Sequence, residues 1–277
     1  MDRSRLIPRL FFPTAAILTL LGAAVRTASY LIAFDTEVGY LDPGLWTTLT
    51  TWLYFIVPVI LIALAIATPR NTLSTAPCHK FRGAAAIPMA VVLVAFTAAA
   101  FLVYTPAEDS MLLATALLGV PAALYYVTSS ASSDRSPDWV TMLGFLPIVW
   151  CITAVADLYF DPFVTMNSPI KVSLQLGFLG FMAATLGELR FRIGRSLPRL
   201  ALVFFGLSGY TCLTAAVPLL VATGARVLDH PLHLMYAAVL LVAGLYSLYL
   251  LFLHTRLPLP TEVQASTPES PDKGGTD

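Results

Sequence analysis

The residues of this sequence best placed to do chemistry are Arg26, Tyr30, Asp35, Glu37, Asp157 and Asp161, all near one end of long apolar segments. An ionisable group within such a segment is costly and marks a binding site, an ion path or a counter-ion by default. Arg26 lies deepest, about eight residues and roughly 12 Å below the outer end of its segment. Its helical face carries Thr19, Gly22, Ser29 and Tyr30, a small and polar stripe that should face other helices. Asp157 falls roughly 6 Å below the outer end of a later segment, on a stripe with Thr153 and Asp161. An arginine side chain can span that difference in depth. Arg26 is therefore expected to pair with Asp157, or with Asp35 or Glu37 at the outer rim. Such a pair either only fixes helix register or belongs to a site that handles a solute or a proton. Snorkelling of Arg26 alone to the interface is the third reading.

Other constellations carry less. His230 and His233, at i and i+3 near carboxylates, have a spacing that could hold a metal or sense pH. Without further ligands, capping and interfacial solvation is the plainer expectation. A retinal protein needs a mid-membrane lysine, and Lys80, Lys171 and Lys273 fall at or beyond segment ends. There is no Gly-x-x-x-x-Gly-Lys loop and no His-Glu-x-x-His pair. Gly206-Leu207-Ser208-Gly209 resembles the Gly-x-Ser-Gly element of rhomboid intramembrane proteases. Ser208, however, should sit roughly 15 Å deep, with His233 and His254 each roughly 15 Å or more away along the bundle. Gly206, Gly209 and Ala216 are instead expected to form a small-residue packing face. Cys78, Cys151 and Cys212 match no metal motif and suggest no disulfide. No catalytic residue, metal or cofactor is expected.

The elements that position these residues follow from composition. Of 277 residues, 57% are hydrophobic and 12% charged, with no net charge and a mean hydropathy of +0.78. Soluble domains carry about 25% charged residues, so a soluble domain, a disordered chain and a nucleic-acid binder are excluded. Blocks of about 20 apolar residues, the length that crosses a ~30 Å hydrocarbon core, fall at 10–34, 45–67, 83–104, 109–129, 139–160, 169–191, 198–222 and 231–254. Short connections such as Asp42-Pro43-Gly44 and His230-Pro231 make consecutive spans antiparallel neighbours. The expected fold is all-α, a polytopic membrane bundle of eight transmembrane helices occupying residues 1–256. Both termini should lie inside: all basic residues except Arg26, Lys171 and Arg226 then fall on the inner side, while the acids divide evenly. Residues 1–24 resemble a signal peptide in their basic start and small-residue end, but the apolar run continues to Phe34. Residues 257–277 are polar and Pro-rich and read as a disordered cytoplasmic tail.

Within the spans, Pro58, Pro88, Pro121, Pro147 and Pro218 are expected to interrupt helices, as in transporters that build sites at broken segments. Ser173, Gly177, Gly180, Ala184 and Gly187 form a seam that admits a close neighbour. Glu188 with Arg190, Arg192, Arg195 and Arg199 forms a basic collar suited to anionic headgroups. No internal repeat emerges beyond a shared Phe-Asp dipeptide.

The stretch from Tyr30 to Tyr40, preceded by Arg26, resembles a segment of small polytopic membrane proteins of gut Clostridia. Those proteins carry an aromatic-rich first helix ending near an Asp-x-Glu-Thr-Gly-aromatic element, with Val38 here in place of the threonine. The resemblance covers about a tenth of the chain and implies a bacterial plasma membrane but no activity. Gly39 would permit a turn there, with Tyr40 anchored at the interface.

Two functions remain open. The first is a small-solute permease or solute-binding membrane protein with its site near the outer mouth. The second is a non-catalytic sensor or assembly subunit that binds partner proteins. The lipid bilayer is the partner common to both. A polar cavity beneath Arg26 would favour the first, and a filled interior the second.

Overall fold

The computed structural model describes residues 3–35, 39–69, 73, 79–103, 110–131, 138–161, 167–193, 195, 197–228 and 231–256. The expected tail at 257–277 and the residues Glu37, Cys78 and His230 lie outside them. The described chain is an all-α membrane helix bundle: α1 (Arg3–Ile32), α2 (Leu45–Ala67), α3 (His79–Val103), α4 (Ser110–Ala131), α5 (Asp138–Leu143), α6 (Phe145–Phe160), α7 (Pro169–Arg192), α8 (Pro198–Gly224) and α9 (Pro231–Arg256). Among the described residues, eight segments are long and apolar enough to cross a membrane, with α5 and α6 together forming the fifth.

Sequence chemistry explains the starts. Pro169, Pro198 and Pro231 each open a helix, where a fixed φ is preorganised and the missing N–H has no partner to lose. The Ser168 hydroxyl caps α7 by accepting from the Ile170 amide at 3.3 Å. Prolines elsewhere do less than expected. The helices run through Pro58, Pro88, Pro121 and Pro218 without interruption. The fifth span alone divides, at Gly144. A proline ring excludes the carbonyl four residues before it; for Pro147 that carbonyl belongs to Leu143, the last residue of α5. Gly144 suits the break because an added Cβ there would collide with Leu189 on α7.

α8 is the central helix, with 67% of its spanning window buried, and packs on α1, α2, α7 and α9. α2 is the peripheral one, 22% buried, held by α1 and α8. α3, α4 and α6 pack together on the other side, with α3 reaching α9 and α6 reaching α7. The glycine seam of α7 receives what it should: Leu240 of α9 stands over Gly177, Thr211 of α8 over Gly180 and Phe204 of α8 over Gly187. Gly206 and Gly209 also serve packing, but on two faces. The first meets Phe11 and Leu61, the second Leu248. The middle of the bundle is aromatic: Phe96, Trp150, Phe178 and Tyr236, from four helices, meet at centroid distances of 5.0–5.5 Å.

After α1 the chain makes a small antiparallel hairpin, β1 (Phe34–Asp35) against β2 (Tyr40–Leu41). Gly39 closes it with φ +75° and its amide on the Asp35 carbonyl at 2.9 Å. This is the turn the glycine was expected to permit, since side chains with a Cβ rarely adopt that conformation.

Candidate functional site

Arg26 is 4% exposed and faces into the bundle together with Thr19, Gly22, Ser29 and Tyr30, as the stripe requires. Gly22 is part of the reason it can do so, because Tyr210 and Thr214 of α8 fill the space that a Cβ would take. Ser29 ties the helix to α2 through the Thr50 hydroxyl at 2.8 Å.

Among the described residues Arg26 pairs with no carboxylate, neither Asp157 nor Asp35; Glu37 lies outside them. Nη1 of Arg26 donates to the Tyr54 hydroxyl at 2.7 Å. Nη2 donates to the Tyr30 hydroxyl at 3.1 Å, to the Pro169 carbonyl at 2.7 Å and to the Ser173 hydroxyl. The guanidinium carbon stands 5.3 Å and 5.1 Å from the ring centroids of Tyr30 and Tyr54, within cation–π range. Among the described residues Nε has no hydrogen-bond partner. Among the described residues, every group that accepts from Arg26 is therefore uncharged. The guanidinium is held by protein groups at the start of α7.

Asp157 belongs to a different cluster, between α6, α7 and α9. It accepts from the Tyr236 hydroxyl at 2.5 Å. Asp161 lies 3.3 Å from His233 Nε2, and Lys171 Nζ donates to the Asp161 carbonyl at 2.5 Å. All four ionisable residues are 7% exposed or less. His233 is thus packed inward against a carboxylate rather than capping or solvated at the interface. Lys171 stands at a span end as expected, buried in the first turn of α7. The first turn of α7 keeps the two clusters apart: Pro169 and Ser173 serve Arg26 on one side, Lys171 serves Asp161 on the other.

A third buried cluster lies toward the opposite end of α7. Glu188 and Arg192, each 1% exposed in their side chains, form an i,i+4 pair at 3.3 Å. Glu188 also accepts from Tyr125 at 3.1 Å and Tyr246 at 2.9 Å. Arg192 further donates to the Ser129 hydroxyl and stands 5.4 Å over the Tyr125 ring. Arg199 Nε donates to the Thr68 carbonyl at 2.8 Å. Of the basic collar, Arg192 is turned inward by its i+4 pairing with Glu188, while Arg199 stays exposed and holds the Thr68 carbonyl.

Ser208 is buried and hydrogen-bonded to Ser247 at 2.8 Å, while His254 packs on Phe191 at 4.6 Å between centroids. Among the described residues there is no cluster of three metal-ligating side chains.

A cavity of about 400 Å³ adjoins Arg26. Its walls are α2, through Thr47, Thr50, Thr51, Tyr54 and Phe55, and α7, from Pro169 to Leu176, with Asn167 just before that helix. Tyr40 and Leu41 of the hairpin line it as well. Phe55 lies ten residues into α2, about 15 Å along its axis at 1.5 Å per residue. The cavity thus reaches about half the depth of a ~30 Å hydrocarbon core.

Sequence reasoning missed Tyr54, Lys171 and Tyr236 as partners in these clusters. Tyr54 carries a readable signal, since it falls on the Thr50, Val57, Leu61, Ala65 stripe that α2 buries. No protein-family model matches the chain, and neither a curated protein nor a solved structure matches it.

Proposed function

We propose that this chain is a solute-binding membrane protein, in its fullest form a small permease, that receives an anionic group in the cavity beside Arg26. The observation that carries the reading is a buried guanidinium, lining a cavity, whose acceptors among the described residues are all neutral. Taking a cation out of water is costly even when neutral dipoles surround it, and an anion in the cavity supplies the missing charge. Guanidinium recognises carboxylate and phosphate with several donors at once. Placing this end outside rests on the distribution of Lys and Arg. A bacterial plasma membrane rests on the resemblance of the segment that follows α1.

The second reading, a sensor or assembly subunit without transport, draws on the aromatic middle of the bundle, where Phe96, Trp150, Phe178 and Tyr236 pack against one another. The same experiment separates the two. Purified protein is melted against a panel of carboxylates, phosphate monoesters and chloride, in wild type, Arg26→Gln and Asp157→Asn. Under the binding reading one class of anion raises the melting temperature by several degrees. Arg26→Gln abolishes that rise and Asp157→Asn, in a separate cluster, keeps it. If no anion acts on the wild type, the solute-binding reading is wrong and partner proteins become the object of search.

A further inference from the structure

We infer that the anion taken at Arg26 is the headgroup of a membrane lipid that enters sideways from the surrounding leaflet between α2 and α7. This rests on the binding reading above and narrows its ligand.

The argument is the order of residues along the two walls. On α2 the cavity lining runs from Thr47, Thr50 and Thr51 near the helix start to Tyr54 and Phe55 deeper in. On α7 it runs from Asn167 and Pro169 through Ser173 to Leu176. Most of the polar lining lies near the helix starts around Arg26, where Pro169, Val172 and Leu41 stand among it, and the deepest lining on each wall, Phe55 and Leu176, is apolar. That is the polarity profile of an amphiphile, head first at the interface and chain directed inward.

Apolar parts of the walls are also exposed. Phe55 is 67% exposed, Val172 42% and Leu176 36%, although all three line the same cavity as the buried Arg26. In a spanning helix such exposure faces acyl chains. α2 packs on α1 and α8, and α7 on α6, α8 and α9, with the cavity lined by both α2 and α7. Tyr40 and Leu41 of the hairpin line the cavity as well.

The test uses the full chain in a neutral detergent, with phosphatidylglycerol, phosphatidylcholine, diacylglycerol and glycerol 1-phosphate as probes. Thermal melting and native mass spectrometry read binding. Phosphatidylglycerol is expected to bind and to raise the melting temperature by several degrees. Glycerol 1-phosphate should bind at least about tenfold more weakly, because burying as few as two methylenes suffices for that factor. Leu176→Trp and Val172→Trp fill the lipid-side opening without touching the guanidinium. They should remove the effect of phosphatidylglycerol while leaving the fold intact.

If glycerol 1-phosphate acts as strongly as the lipid and Leu176→Trp changes nothing, the site takes a soluble anion. The lateral inference is then overturned while the binding reading stands. If phosphatidylcholine or diacylglycerol binds as well as phosphatidylglycerol, Arg26 selects nothing and the inference fails too. If none of the probes binds and the soluble anions of the previous panel are also inert, both readings fall. Glu37→Gln, which removes the rim acid nearest in sequence to the hairpin turn, should leave phosphatidylglycerol binding unchanged. Tightening by tenfold or more would show that Glu37 and not a lipid occupies the guanidinium.

Discussion

Two arginines are buried in this bundle in almost the same surroundings, and one carboxylate separates them. Arg26 has Tyr30 and Tyr54 at its guanidinium and the Ser173 hydroxyl as an acceptor. Arg192 has Tyr125 beneath it and the Ser129 hydroxyl as an acceptor. Glu188, itself held by Tyr125 and Tyr246, balances the charge of Arg192. Among the described residues nothing balances Arg26, and a cavity of about 400 Å³ stands beside it. A buried charge with its counter-charge built in is a strut; one without is a socket. The largest test of the difference is Glu188→Gln, which removes the carboxylate charge that Glu188 sets against Arg192. Breaking such a pair costs about 3–5 kcal/mol, and the variant should show that loss by reversible unfolding in detergent. Arg26→Gln, which strands no opposite charge, should cost far less without ligand.

A converse change makes the socket into a strut. Ser173→Asp places a carboxylate where Nη2 of Arg26 now donates to a hydroxyl. Hydrogen bonds to charged groups contribute about 1.5–3 kcal/mol, so stability in the absence of ligand should rise by an amount in that range. The anion effect on melting should disappear in the same variant. A variant that is stabilised yet still binds the anion would break the comparison, because the missing counter-charge would then not be what the ligand supplies.

The parts of this arrangement that the sequence declares are those set by the bilayer. Eight spans could be counted because lipid demands about 20 apolar residues for each crossing. Arg26 could be turned inward because Thr19, Gly22, Ser29 and Tyr30 share its helical face. Its partner could not be read. Residue counting along a helix gives depth but not rotation or neighbourhood, and Asp157 matched only in depth. It lies on α6, which packs on α4 and α7, whereas α1 packs on α2, α8 and α9. Prolines misled for a related reason. Neighbouring helices carry Pro58 and Pro121 through unbroken, and the one division falls where Pro147 coincides with a glycine that Leu189 needs to approach. Glu188 and Arg192 looked like a surface collar because composition near a span end resembles an interface until the helix phase is known.

The smallest expected effect lies in the hairpin that distinguishes the two arginine sites on the water side. Among the described residues, Arg192 has no such roof, while β1 and β2 bring Tyr40 and Leu41 into the lining of the cavity beside Arg26. The turn depends on Gly39 at φ +75°. Open space surrounds the position where a Cβ would stand, so Gly39→Ala introduces no collision and acts only through backbone strain. That strain costs roughly 1–2 kcal/mol, enough to bias the hairpin away from this closure while the helices stay packed. Global melting should fall by only a few degrees or less, and the Glu188–Arg192 pair should be untouched. The rates of ligand entry and exit at Arg26 should rise more than its affinity changes, because the hairpin lines the cavity without supplying a charge to Arg26. Equal changes in melting and in anion affinity, with no change in rates, would show instead that the hairpin is part of the binding surface and that the contrast between the two ends includes more than a missing carboxylate.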